Sequence, residues 1–305
     1  MDVLERDFYE ERRRKWRRSA FWKGVLVTVV GLFVILTVIG MMTGVGPTGP
    51  HIAEVNINGV IYDDPRRDEL MDELAHDENV KAVIVRISSP GGTIVGSEAL
   101  YLGLREISGN KPIVAVMGEV AASGGYLSAI GTDHIIARGN TMTGSIGVIM
   151  EFPVVTELMD TIGVRMQTIR SSDQKAALSP FREASAEAIA AEQVLIDEAN
   201  DWFQGLVSDR RNLQGAELAK VATGGVFSGR MAIENGLVDE IGGQSQALSY
   251  LESVDPDLAN LQVEPWTIHE EDEGIAGIFG KITGSEHLLG QLSAQPGPRL
   301  YAIMK

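Results

Sequence analysis

The stretch MGEVAASGGY, Met117 to Tyr126, sets one serine, Ser123, among residues too small to cover it. Before it, Lys111 to Met117 (KPIVAVM) has the β-branched, continuously apolar character of a strand buried on both faces. From Gly125 onward, GYLSAIGT reads as a helix start. Ser123 is therefore expected at a strand-to-helix turn, where a hydroxyl can face a cleft and helix amides can receive negative charge. Ala121, Ala122, Gly124 and Gly125 would let a substrate backbone approach closely. Ser123 is a candidate nucleophile. The competing reading is a serine that caps the N-terminus of a tightly packed helix.

A second strand end adds to this. Val83 to Ser89 (VIVRISS) is another buried-type strand that runs into Pro90-Gly91-Gly92 before a helical stretch from about Ser97 to Ile107. Acyl transfer needs two donors aimed where the tetrahedral oxygen will sit, and the amides of Gly92 and Gly124 are the natural pair. A Pro-Gly-Gly turn alone is weak evidence, since many are only turns.

The usual base for a serine is histidine, and the five here (His51, His76, His134, His269, His287) fall at strand ends or in acidic and polar stretches. Sequence order does not exclude a triad, because triads are defined by geometry. A lysine can serve instead if burial keeps it neutral. Of the eight lysines, Lys175 lies in the loop IRSSDQKAALSPFR, Ile169 to Arg182. Taken alone, a loop lysine reads as a solvated charge.

Four segments, SSPGG (Ser88 to Gly92), AASGGY (Ala121 to Tyr126), TGSIGVI (Thr143 to Ile149) and QKAALSPFR (Gln174 to Arg182), occur in the order and spacing of the signal peptide peptidase A family of serine proteases, short single-repeat type. The chain resembles that family from about residue 52 to 250. GGVFSGRMAIENGLVDEIGG, Gly224 to Gly243, is also similar to the helix-turn region of the Clp/crotonase superfamily. Carried over residue by residue, the resemblance implies Ser123 as nucleophile, Lys175 as general base, Ser145 as the serine that orients the lysine amine, and Gly92 and Gly124 as oxyanion donors. Ser145 would otherwise read as a turn serine between strands. Pro180-Phe181-Arg182 reads as a structural loop. The resemblance also implies a ring-like homo-oligomer in which serine and lysine can come from neighbouring subunits.

Val25 to Met42 (VLVTVVGLFVILTVIGMM) is eighteen residues without a charge, close to the ~20 that span a bilayer. Phe21 and Trp22 form an interfacial aromatic pair beside it, and no A-x-A cleavage site follows. The expected organisation is a basic arm at 1–23, a transmembrane helix at 24–43, a Gly/Pro linker at 44–50 and a protease domain at 51–305. The tail from about 270 carries no motif beyond possible subunit contacts. Arg12, Arg13, Arg14, Lys15, Arg17, Arg18 and Lys23 place the N-terminus in the cytoplasm by the positive-inside rule. The expectation is a single-pass protein of the inner (cytoplasmic) membrane, with its protease domain periplasmic or extracellular.

Residues 1–23 hold eight basic and five acidic groups, net +3, leaving eighteen basic and thirty-seven acidic groups, net −19, for the remainder. So acidic a domain argues against nucleic-acid partners. With zero cysteines there is no disulfide, cysteine nucleophile or thiolate metal site. HExxH and the Walker loop are absent, so neither metal nor nucleotide cofactor is implied.

About 255 residues after the linker alternate strand and helix, which predicts an α/β domain with a mostly parallel sheet and its site at the strands' C-terminal ends; the resemblance makes this a Clp/crotonase-like fold. A long helix is expected over roughly Ala184 to Asn212. Three functions compete. One is a membrane-anchored Ser/Lys endopeptidase degrading cleaved signal peptides and other hydrophobic peptides. Another is a Ser/Lys protease of the type that cuts stomatin-like proteins. The last is a crotonase-fold scaffold or acyl-CoA enzyme.

Overall fold

A computed structural model describes residues 21–34 and 49–267, and the backbone of 301–303. The chain divides into two units, Met1–Gly49 and Pro50–Lys305. In the first, residues 21–34 are helical, with Trp22 and Phe33 each 67% exposed. Among the described residues no helix is long and apolar enough to cross a membrane. Residues 35–43 of the expected transmembrane helix lie outside the described residues, as do His269 and His287.

The second unit opens with β1 (His51–Asn58), α1 (Pro65–His76), β2 (Val80–Ser89), β3 (Gly91–Thr93), α2 (Ile94–Asn110), β4 (Ile113–Ala122) and α3 (Gly124–Ala129). Short strands β5 (His134–Ala137) and β6 (Met142–Gly144) follow, then α4 (Thr156–Thr161), α5 (Ala186–Arg211) and α6 (Ala216–Val221). The chain continues through β7 (Val226–Ser228), α7 (Gly229–Glu234), β8 (Glu240–Ile241), α8 (Gln244–Val254), β9 (Val263–Trp266) and β10 (Tyr301–Ile303). The α/β architecture and mostly parallel sheet expected from the strand-helix alternation are present. The main path is β7-β6-β4-β2-β1-β9, with β5 joining β4 to β8. Every pairing in this sheet is parallel except β6 with β7.

The apolar strands are buried on both faces, and period two sorts their side chains. Val83, Val85 and Ile87 of β2 pack into the larger core with Leu70, Leu74, Leu100, Leu104 and Phe203. Ala82 and Ile84 point the other way, onto Ala247 and Leu251 of α8. α1 starts at Pro65 behind its N-cap Asp64, as proline at the first turn favours. α5 ends on Asn212 in the left-handed conformation, φ 53°.

β4 differs from the reading that ended it at Met117. It pairs with β2 through Ile87–Met117, shifts register, rejoins β2 at Ser89–Ala121, and runs beside β6 from Val120, with Ala122 opposite Gly144. Gly118 to Val120 of β4 thus stand opposite the single Ser88 of β2 before the strand reaches Ser123, the kind of local re-aiming that bulges provide beside active sites.

Arg211 on α5 closes the opposite part of the domain. Its guanidinium donates to both carboxylate oxygens of Asp239 at 3.0 and 2.6 Å and to the Gly236 carbonyl at 2.8 Å. Burial alone would raise the Asp239 carboxyl, but the hydrogen bonds and charge of Arg211, with the Ile135 amide, hold it below its ordinary value. A depressed carboxyl contributes stability above its unfolded pKa of about 3.9 that is lost as pH falls through the folded value. Arg211→Ala is expected to cost about 2–3 kcal/mol at pH 7, at the low side for a broken buried pair because Asp239 is partly exposed. The gap to wild type should narrow below about pH 4, as urea titrations at pH 7 and pH 3 would measure. An unchanged gap would show that Arg211 acts through packing alone.

Candidate active site

Ser123 joins β4 to α3 with φ 53° and ψ −118°, a conformation rare for a residue with a side chain and costly by about 1–3 kcal/mol. Its amide is held by the Gly144 carbonyl at 2.8 Å, and its own carbonyl accepts from Leu127 at 2.8 Å. The strain is thus imposed from both sides, as in nucleophile elbows. The side chain is fully buried, makes no capping hydrogen bond, and its hydroxyl has no partner among the described residues. This overturns the helix-capping reading, in which that hydroxyl would accept an amide of the first turn. The helix also begins one residue earlier than expected, at Gly124.

The second strand end lies beside it. Ile61 donates to the Gly91 carbonyl and accepts from the Thr93 amide, both at 2.9 Å. In that parallel bridge the intervening Gly92 turns its own amide away from Ile61. A methyl group built on Gly92 would lie 1.8 Å from the Ile61 carbonyl oxygen, so only glycine fits. A methyl built on Gly124 would lie 3.0 Å from the Gly92 nitrogen and 2.2 Å from the Ser97 hydroxyl. The fold therefore brings Gly92 and Gly124 together beside Ser123. The sequence reading assigned Gly124 to substrate approach; in the structure, contact with the Gly92 backbone and Ser97 requires glycine there.

Ser145 follows Gly144 directly, also at positive φ (52°), and its amide donates to the Gly225 carbonyl at 2.8 Å. The Ser123–Gly144 bond puts Ser145 one residue from the nucleophile's anchor. Lys175 is placed differently. It sits in an exposed turn, its amide 3.2 Å from the Ser172 carbonyl, and no hydrogen bond joins its amine to Ser123 or Ser145 within this one chain. Arg182 donates to the carbonyls of Ala176 and Ala177, pinning the turn that carries Lys175.

The described histidines have other work. The His51 ring accepts from the Trp266 indole at 3.0 Å. His134 stacks on Tyr250 at 4.1 Å beside Glu240, and His76 is exposed near Asp72 and Glu106.

A cavity of about 1340 Å³ opens from β3, lined by Thr93, Ile94 and Val95 on one side and by Phe152, Leu178 and Pro180 on the other. On β3 itself lies β10, antiparallel, with Ala302 opposite Gly92. The tail, which offered no readable motif, thus supplies a strand at the candidate oxyanion loop. Sequence reasoning missed this because three tail residues carry no periodicity. It missed Ser97 too, which reads as an ordinary helical serine.

Residues 105–256 match the pattern of peptidase family S49. A candidate protease by name, slr0021 of Synechocystis sp., is 36% identical over 218 residues, 70% of this chain and 79% of that protein. Protease 4 of Haemophilus influenzae is 37% identical over 67% of this chain and 34% of its own length. The chloroplastic serine protease SPPA of Arabidopsis thaliana is 32% identical over 55% of this chain and 25% of its own length. The solved structure of a ClpP1 point mutant from Listeria monocytogenes is similar over 62% of this chain and 91% of that one, at TM-score 0.42 and 15% identity, a likeness too slight to carry an inference. The identity to slr0021 runs over more than two thirds of both proteins, and with the matched pattern it settles the assignment: the chain belongs to peptidase family S49 and is a serine peptidase.

Proposed function

We propose that the chain is a membrane-anchored endopeptidase that cuts extended hydrophobic peptides, including signal peptides left in the bilayer after cleavage, through a Ser123/Lys175 dyad. The observation that carries the reading is the buried hydroxyl of Ser123, without a hydrogen-bond partner among the described residues, on a strained turn next to Gly124, whose backbone packs against that of Gly92. The Ser123 oxygen attacks the scissile carbonyl and its proton passes to the Lys175 amine. The tetrahedral oxyanion is held by the Gly92 and Gly124 amides. The protonated amine then releases the leaving peptide, and water hydrolyses the acyl-enzyme. Ser145 orients the amine.

The pairing of β10 with β3 supports an extended substrate, because this edge accepts an antiparallel strand through backbone bonds. The apolar cavity alongside suits hydrophobic side chains. The exposed position of Lys175 supports a shared site, in which the lysine of one copy serves the serine of its neighbour in a ring. The segment bearing it leaves Leu158, Ile162, Met166 and Ile169 exposed, Ile169 at 96%, as subunit contacts would require. The charge-free run Val25 to Met42 supports the anchor. A linker at 44–50 reaches less than about 30 Å, which keeps the sites near the bilayer.

The test is fluorophosphonate labelling of cells expressing the full chain, followed by carbonate extraction of membranes. The label should map to Ser123 and stay with the membrane pellet. Labelling elsewhere would remove the nucleophile, and release into the supernatant would remove the anchor.

A further inference from the structure

Two buried serine hydroxyls lack a hydrogen-bond partner among the described residues, Ser123 and Ser97, and Gly124 lies beside both. Ser97 is on the first turn of α2, fully buried, with its hydroxyl against the α-carbon of Gly124. Its neighbours are already satisfied by other hydroxyls. The Ser128 hydroxyl donates to the Gly124 carbonyl at 2.8 Å, Thr93 accepts from the Gly96 amide at 3.1 Å, and Ser89 accepts from the Gly91 amide at 3.0 Å. Each of these fixes the backbone of one side of the oxyanion pocket. The Ser97 hydroxyl is left over, on the same side of Gly124 as the Gly92 nitrogen.

A buried donor with no acceptor costs free energy in the resting protein, on the order of 1–3 kcal/mol, and alanine in its place would avoid that cost. A donor that gains its acceptor only when charge develops has the differential binding that accelerates a reaction. Resting on the serine-peptidase reading of Ser123, we infer that the Ser97 hydroxyl is a third donor to the oxyanion, directly or through one water, beside the amides of Gly92 and Gly124. The occupant is the tetrahedral oxygen of an ester or amide substrate; the planar carbonyl of the bound substrate gains less from it.

The experiment uses the full chain and compares wild type, Ser97→Ala and Ser97→Cys in peptide hydrolysis, in affinity for a peptide boronate and in thermal stability. Ser97→Ala is expected to lower kcat about 10²-fold, the scale of one oxyanion donor, with KM within about twofold. Boronate affinity should fall by a similar factor, because the boronate imitates the tetrahedral state. Tm should stay equal or rise, and Ser97→Cys, which keeps a weak S–H donor, should recover part of the loss. A kcat within about threefold of wild type in Ser97→Ala would overturn the inference. So would equal losses in both variants accompanied by a lowered Tm, which would mark a packing role. Fluorophosphonate attachment to wild-type Ser123 separates the two levels: labelled protein insensitive to Ser97→Ala refutes the third donor alone, whereas unlabelled wild type refutes the peptidase reading and this inference with it.

Discussion

Ser123→Ala is expected to lower kcat by about 10⁴–10⁶ while leaving the protein as stable as before or slightly more so. Activity falls because the attacking oxygen is gone. Stability holds because that oxygen has no hydrogen-bond partner among the described residues and is fully buried, so its removal relieves a desolvated hydroxyl. Alanine retains the same Cβ, so the backbone strain at φ 53° is unchanged. Peptide turnover and urea denaturation of the same preparation check both halves. A large loss of stability would show that the serine is a structural element of the turn.

Lys175→Ala should match that loss, and the double variant should be no worse than either single one, because nucleophile and base act as a unit. Since Lys175 is exposed and unconnected to Ser123 within one chain, the two inactive variants offer a further measurement. Mixed assemblies of Ser123→Ala and Lys175→Ala should regain activity if the dyad crosses an interface. No recovery in confirmed mixtures would place both groups in one chain.

The second large effect is expected at Gly92. Its missing side chain is replaced in space by the Ile61 backbone, with the carbonyl oxygen 1.8 Å and the carbonyl carbon 2.5 Å from where a methyl would lie. Neither strand can move without losing the 2.9 Å bonds that Ile61 makes to Gly91 and Thr93. Gly92→Ala should therefore destabilise the domain by about 1–3 kcal/mol through overpacking. It should also reduce kcat about 10³-fold or more, because the displaced amide is one of the oxyanion donors. Gly109→Ala is the control: nothing lies within 4 Å of its added methyl, it is exposed on α2, and it should gain about 0.5–1 kcal/mol with activity unchanged. Wild-type turnover by Gly92→Ala would exclude its amide from the chemistry.

Much of the fold was legible because the signals were local. Continuous β-branched runs before glycine-rich turns marked β2 and β4, and the long helix expected over roughly Ala184 to Asn212 is α5, Ala186–Arg211. Ser123 was legible for a similar reason: a serine flanked by alanine and glycine at the end of an apolar strand is an unusual local pattern. What remained illegible depended on partners distant in sequence. The extension of β4 to Ala122 needs β6, which pairs with Val120 to Ala122 after the register with β2 has shifted between Met117 and Ala121. The meaning of Gly92 needs Ile61, far earlier in the chain, and that of Ser97 needs Gly124.

The residues by themselves determined the α/β class, the mostly parallel sheet, the candidate nucleophile and the acidic, cysteine-free character of the domain, because each follows from composition or short-range periodicity. Tertiary structure decided that Ser123 is a strained hydroxyl without a partner among the described residues instead of a helix cap, that Ser97 lies against Gly124, that Lys175 makes no hydrogen bond to Ser123 in one chain, and that residues 301–303 pair with β3. Hydrogen-bond satisfaction and steric exclusion are properties of pairs of atoms. Which pairs meet is set when the chain closes long loops, and no local pattern records it.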